Sequence, residues 1–129
     1  MGAEKYVPEL GQLVFGGPYG MFEMSEYAIT MFKFLLWEIE RVVSNRDRCV
    51  HWNRIEDPKI PGIEWHPYSS NEDSPNYGKP NFKFGEVEIQ WYKYPGRGMS
   101  CNVDWSPNQW AEWFDKCLAC IRAVGSEER

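Results

Sequence analysis

The feature of this sequence that most constrains its fold is an alternation of polar and apolar side chains at residues 86–91. Val87, Ile89 and Trp91 are apolar, and the residues between them are polar. Successive side chains of a β-strand point to opposite faces of the sheet, so this alternation predicts a strand with one covered face and one wet face. Another layer must cover the apolar face, and the rest of the chain has to supply it.

Weaker strand patterns flank this segment. Residues 63–68 alternate, and a proline near their end confines them to a sheet edge. Residues 82–84 carry two phenylalanines and precede the alternation across Gly85, which is either a bulge within one strand or a turn between two. A further strand is predicted at residues 99–103. The sequence therefore predicts an antiparallel meander of about three strands within residues 60–104.

A helix is predicted on each side of this meander, at residues 25–44 and 106–125. Both segments repeat apolar residues at spacings of three and four, which is typical of one helix face. Ser25 can cap the first helix, Ser106 can begin a capping box at the second, and Gly125 is expected to end the second. The predicted apolar stripes consist of Ile29, Phe32, Leu36, Ile39 and Val43 in the first helix and Trp110, Phe114, Cys117, Ile121 and Val124 in the second.

The resulting fold class is α+β, with the order helix, meander, helix and both helices against one face of the sheet. The length of 129 residues suits a single domain spanning residues 1–129. Residues 1–24 combine glycine and proline with scattered apolar side chains, which is typical of an ordered N-terminal arm. Apolar arms pack on the host domain or on a second subunit, so a homodimer is one possibility.

Charge and aromatic content restrict the kinds of partner. The formal net charge is −5, from 19 acidic and 14 basic residues, which argues against direct binding of duplex nucleic acid. It permits a basic protein partner. Aromatic residues make up 16% of the chain, and Trp37 and Trp113 lie off the predicted stripes. Such content is typical of a protein that buries surface against another chain.

The cysteines predict neither a redox centre nor a metal site. Cys117 and Cys120 form a CxxC pattern, but the pair lies in the last turns of a helix, where the helix dipole disfavours thiolate. Zinc requires four ligands, and no second pair completes the set, so no metal and no cofactor are expected. No signal peptide or membrane-spanning run is recognised. The expected location is therefore the cytoplasm, with reduced thiols.

One turn favours a binding role. The glycines of Gly96-Arg97-Gly98 allow backbone N–H groups to form an anion nest, and the Arg97 guanidinium can bind phosphate or carboxylate in a bidentate way. Tyr92 and Tyr94 precede the turn and can stack on a base or on a protein side chain. The alternative is an ordinary β-turn with an exposed arginine.

Two acidic residues complete the candidate binding set. Glu86 and Glu88 are expected to share one face of the alternating strand, where they either form a solvated surface or mask a basic groove on a partner. No nucleophile elbow or P-loop accompanies them, and a solvated face is favoured over the converging paired carboxylates that glycosidase or nuclease chemistry requires. No catalytic residues are therefore assigned, and the protein is expected not to be an enzyme.

Three segments carry a resemblance to a known group of proteins. They are residues 38–42, residues 87–94 running into 96–102, and the closing segment from Pro107 through Ile121-Arg122. Over residues 7–124 the chain resembles small acidic proteins of tailed phages and prophages. This resemblance brings no catalytic residues with it. It implies a small phage-borne accessory protein, similar in size and character to inhibitors of bacterial defence such as anti-CRISPR proteins.

These observations lead to three functional hypotheses. The first is a phage-derived, non-enzymatic inhibitor that binds a host defence protein stoichiometrically in the bacterial cytoplasm. The second is a sponge for a small nucleotide signal, which would be held at the turn around Arg97. The third is a phage structural or assembly protein.

Overall fold

The computed structural model of the chain describes residues 21–74, 76–92 and 98–127. Within these ranges the chain forms two long helices and five strands, so the α+β class predicted from sequence is confirmed. Most of the predicted N-terminal arm lies outside the described residues. The elements are β1 (Phe22–Glu23), α1 (Glu26–Arg46), a short 3-10 helix (Trp52–Arg54), β2 (Ile63–His66), β3 (Asn81–Phe84), β4 (Val87–Tyr92), β5 (Gly98–Cys101) and α2 (Pro107–Glu127).

The strands form one antiparallel sheet in the order β1-β5-β4-β3-β2. Strands β2 to β5 are the predicted meander, and β1 adds to its far edge by pairing Phe22 with Cys101. The described sheet has five strands rather than about three for two reasons. Strand β1 is too short to show a period, and Gly85 begins a two-residue turn between β3 and β4. Its φ of 62° is the left-handed conformation that the first position of a type II′ hairpin turn requires.

Both helices cover one face of the sheet. Phe82 of β3 makes an edge-to-face contact with Phe32 of α1, with ring centroids 5.2 Å apart, and another with Trp113 of α2 at 6.2 Å. The cluster that these rings anchor also holds Val87 and Ile89, the apolar residues of the alternating strand. Burial of this apolar surface is the main favourable contribution to folding.

The second helix buries four of the five residues of its predicted stripe (Trp110, Cys117, Ile121 and Val124) and departs from the prediction at two neighbouring positions. Trp113 is only 5% exposed, whereas Phe114 is half-buried, so the prediction that Trp113 lies off the buried stripe is wrong. Gly125 does not end the helix, which continues to Glu127. A Cβ at Gly125 would lie 3.3 Å from a methyl carbon of Val42, so this glycine allows close approach of the two helices.

The helix starts are also only partly as predicted. Ser106 and Gln109 form the expected capping box, because the Ser106 N–H donates to Gln109 Oε1 at 2.9 Å and the Gln109 N–H donates to Ser106 Oγ at 3.5 Å. Ser25 precedes α1, but its hydroxyl makes no capping hydrogen bond. Neither helix within the described ranges has the length and hydrophobicity needed to cross a lipid bilayer.

The polar face of the sheet is not uniformly wet. Gln90 and Ser100 are register partners in β4 and β5, and they are only 2% and 3% exposed. The sequence alternation therefore assigns the correct face to Gln90 but the wrong exposure. Alternation reports which side of the sheet a residue occupies, whereas exposure depends on what packs against that side.

Candidate functional site

The predicted binding turn is only partly within the described structure. Tyr92 and Gly98 are the last register pair of β4 and β5, so the two strands that flank the turn pair as predicted. Tyr94, Gly96 and Arg97 lie outside the described residues. The role assigned to Arg97 therefore stays a prediction.

The two acidic candidates have different surroundings. Glu88 lies in β4, where its carboxylate forms an ion pair with Lys83 Nζ of β3 at 3.5 Å. Glu86 lies in the turn before β4 and is exposed, so the two carboxylates do not share a strand. Glu86 lines a cavity.

That cavity is an open recess of about 410 Å³ between the β3–β4 turn and the first half of α2. We call it the recess and define it by six of its lining residues: Phe84, Glu86, Trp105, Glu112, Trp113 and Lys116. Its volume falls within the roughly 300–1,000 Å³ range of small-ligand sites.

The aromatic residues of the recess belong to a fixed network. Trp113 packs edge-on against Phe84 at 6.1 Å and against Trp110 at 5.4 Å, and Trp105 packs on Trp110 at 5.4 Å. The indole N–H of Trp113 donates to the carbonyl oxygen of Phe84 at 2.9 Å. Each of these contacts restricts ring motion. The rings of Phe84, Trp105 and Trp113, which we call the aromatic wall of the recess, are therefore held in place before any ligand binds.

A second surface lies on the outer side of the helix layer. Phe34 and Trp37 of α1 are 44% and 53% exposed, the two large apolar side chains that stand out as exposed in the described part of the chain. The Phe34 ring contacts Phe114 of α2 with centroids 5.7 Å apart. His51 packs edge-on against Trp37 at 5.8 Å. Most of the Trp37 indole thus remains available to a partner.

Charged groups border these rings. Arg41 donates to the Glu38 carboxylate at 3.0 Å, and Arg122 of α2 reaches the same carboxylate at 3.3 Å. The hydrogen bond from Arg41, aided by the charge of both arginines, lowers the pKa of Glu38 below its ordinary value despite partial burial. Two guanidinium groups share one carboxylate, so the group is net positive. We call this surface the ridge and define it as Phe34, Trp37, Glu38, Arg41, Phe114 and Arg122.

A third aromatic group lies beside the C-terminal end of β4, where the chain leads toward β5. The indole rings of Trp52 and Trp91 stack at 10° with centroids 6.3 Å apart. Lys79 Nζ lies 5.4 Å from each centroid, within cation–π distance of both. The backbone N–H of Trp52 donates a hydrogen bond to Glu40 Oε1 at 2.8 Å, and this bond links the aromatic group to α1.

Two of the four cysteines, Cys101 and Cys117, are buried in apolar rather than activating surroundings. Burial raises the pKa of the Cys101 thiol to about 11 and raises that of Cys117 still further. Cys120 is half-buried on the same helix. Among the described residues no group of three or more His, Cys, Asp or Glu side chains is placed to hold a metal ion.

Sequence reasoning missed most of the residues that form these surfaces. Glu86, Trp37 and Trp113 were singled out, but Trp105, Glu112 and Arg122 were not. Their common signal is weak: each lies on a half-exposed helix flank or next to a helix start, where periodicity does not distinguish a binding residue from a solvated one.

The comparisons with known proteins found no relative. No protein-family model matches the chain, and searches of curated proteins and of solved structures returned no match.

Proposed function

We propose that this protein acts by binding another protein stoichiometrically through the ridge. The observation that carries the proposal is the half-exposed Trp37, held on a rigid helix beside Phe34 and two arginines. Tryptophan and arginine dominate the energetics of protein interfaces. A large aromatic ring that remains in water contributes little to folding but contributes strongly when a partner covers it.

The charges indicate what kind of partner surface fits. Arg41 and Arg122 outnumber Glu38, so the ridge suits an apolar groove on the partner protein that acidic side chains border. This local charge is opposite to the net charge of −5 of the whole chain. The partner of the ridge is therefore an acidic patch, not the basic groove that overall charge alone favours.

The more specific form of the proposal is a phage-derived inhibitor whose partner is a component of a bacterial immune system. Its support is the resemblance of residues 38–42 and 87–102 to small phage proteins. The ridge includes Glu38 and Arg41 from the first of these segments, so the segment and the exposed aromatic rings occupy the same surface.

The test is to express the chain in bacteria whose immune system restricts a phage. The wild-type protein is expected to restore phage plating and to capture one immune component on affinity purification. Phe34→Ala with Trp37→Ala should weaken capture by about 2 kcal/mol or more, roughly thirtyfold, and abolish rescue. Glu64→Ala, at an exposed position of β2, is the matched control and should behave as wild type.

The outcomes separate the general proposal from the specific one. Capture that is unaffected by the ridge substitutions contradicts binding through the ridge. Capture of a protein unrelated to defence, with no rescue of phage, contradicts the inhibitor role but leaves the ridge as an interface. A homodimer that dissociates in the ridge variant would identify the partner as a second copy of the chain.

A second candidate function, a sponge for a nucleotide signal, has one favourable observation. The stacked Trp52–Trp91 pair and Lys79 lie beside the end of β4, the strand that leads into Gly96-Arg97-Gly98. Aromatic rings and a lysine suit a base and a phosphate. Calorimetry with a panel of cyclic nucleotides tests this function. Binding is expected to weaken at least about tenfold in Arg97→Ala, and an unchanged affinity would remove the role of Arg97.

A further inference from the structure

We propose that the recess binds a guanidinium group, supplied by an arginine side chain of a protein partner. This site is independent of the ridge, because the two surfaces share no residue. The proposal rests on three properties of the recess: its aromatic wall, the sign of its charge and its size.

The aromatic wall of the recess offers a ring on which a planar cation can stack. Trp105 lines the recess, is half-buried, and makes an edge-on contact with Trp110 that restricts its indole ring. Guanidinium groups stack on indole faces through cation–π attraction and dispersion. The Trp113 N–H is already satisfied by the Phe84 carbonyl, so Trp113 offers no open indole donor to a ligand.

The charged groups favour a cation over an anion. Glu86 and Glu112 both line the recess and are exposed, and Lys116 is the cation among the lining residues. Two carboxylates against one ammonium leave the recess with a net negative charge. No ion pair within the described residues engages any of the three, so both carboxylates remain available to accept hydrogen bonds.

Arginine fits this combination better than lysine. Its guanidinium is planar, offers five N–H donors and can face a carboxylate in a bidentate way while one side stacks on a ring. A volume of about 410 Å³ holds the guanidinium together with its aliphatic stem. A protein supplies the arginine, because the chain's net charge of −5 attracts a basic partner over longer distances.

The test uses a blocked peptide with one arginine between two glycines. Nitrogen–proton correlation spectra follow the indole N–H signals of Trp105 and Trp113 during titration of the full chain. The arginine peptide is expected to shift both signals with a Kd of about 1 mM, while the peptide with neutral, isosteric citrulline binds at least about tenfold more weakly. The lysine peptide is expected to bind more weakly than the arginine peptide.

Charge-matched variants locate the site. Glu86→Gln with Glu112→Gln should weaken the arginine peptide at least about tenfold. Glu56→Gln with Glu64→Gln removes the same charge from exposed residues outside the recess and should change the affinity less than about twofold. Thermal unfolding of both variants confirms that each is folded.

Three results would overturn the proposal. One is equal binding of the arginine and citrulline peptides, which would exclude recognition of charge. Another is equal weakening in both double variants, which would show a diffuse charge effect. The last is the absence of any shift at Trp105 and Trp113 up to about 10 mM peptide. None of these results bears on the ridge, whose test uses other residues.

Discussion

The ridge and the recess both present tryptophan, but their rings differ in what surrounds them. Trp37 of the ridge is 53% exposed and contacts the His51 ring at one edge. Trp113 of the recess is 5% exposed, contacts three other aromatic rings and donates a hydrogen bond. Trp113 therefore belongs to the hydrophobic core, whereas Trp37 does not. The folded state depends on Trp113, whereas Trp37 is available for binding.

The two surfaces also differ in shape and charge. The ridge projects aromatic rings beside two arginines and one glutamate, and the recess is concave with two glutamates and one lysine. Opposite charges on separate surfaces of one small domain indicate that the two surfaces fit different chemical partners. The predictions that follow test whether stability and binding are divided between them in this way.

The largest effect is expected from Trp113→Ala. Loss of this buried ring removes its contacts with Phe82, Phe84 and Trp110, and should lower the free energy of unfolding by about 3–5 kcal/mol. Urea unfolding followed by circular dichroism measures the change. Trp113→Phe keeps a ring but loses the hydrogen bond to the Phe84 carbonyl, and should cost clearly less. A loss below about 1 kcal/mol for Trp113→Ala would break the contrast with Trp37.

A smaller effect is expected from Trp105→Ala. Its ring is half-buried and makes an edge-on contact with Trp110, so its removal should lower the free energy of unfolding by about 1–2 kcal/mol. The hydrogen bond from the Tyr27 hydroxyl is retained, because it ends on the backbone carbonyl of Trp105. Urea unfolding measures this loss on the same scale. Equal losses for Trp105→Ala and Trp113→Ala would show that the recess is a single packed unit.

Glu38→Gln should lower stability by about 0.5 kcal/mol at neutral pH, because its arginine partners are about half exposed. The pKa of Glu38 is lowered in the folded state, so its contribution is present above the ordinary carboxyl pKa and is lost as pH falls through the lowered value. The difference in the free energy of unfolding between wild type and variant should therefore disappear in acid, below about pH 4. Urea midpoints measured across this range provide the test.

Glu112→Gln is the matched control in the recess. Its carboxylate makes no ion pair within the described residues, so its replacement should change the free energy of unfolding by less than about 0.5 kcal/mol. A loss that equals that of Glu38→Gln would contradict the assignment of the ion-paired network to the ridge.

An equally small effect on folding is expected from Trp37→Ala. Its side chain is more than half exposed, so the free energy of unfolding should change by less than about 0.5 kcal/mol. Equilibrium urea unfolding is again the measurement. A loss above about 2 kcal/mol would show that Trp37 is a structural residue and would remove the main support for the ridge as an interface.

The elements that sequence predicts well are those with a strong local period. The alternation at Val87 and Ile89 places β4 correctly, and the three-four spacing around Phe32 places α1 within one residue at its start and two at its end. Local spacing carries this information because each residue's direction follows from the backbone geometry of its own element.

What sequence does not predict depends on contacts between distant elements. Trp113 is buried because β3 presents Phe82 and Phe84 to it, and nothing near Trp113 in sequence reports this. Gly125 lies within the helix, and its missing side chain leaves room for Val42 of α1, a residue distant in sequence. The recess combines a hairpin turn with a helix flank, and among its lining residues Glu86 and Trp113 were singled out from sequence.

The pairing of β1 with β5 has a consequence for the biosynthesis of the protein. Phe22 emerges from the ribosome near the start of the described chain, whereas its partner Cys101 emerges near the end, and α2 follows later still. The apolar side of α1, centred on Phe32 and Leu36, has no second helix to cover it until the segment Pro107–Glu127 has been synthesised. Native structure thus depends on contacts of high sequence separation, which close slowly. During translation the chain exposes apolar surface of the kind that chaperones bind.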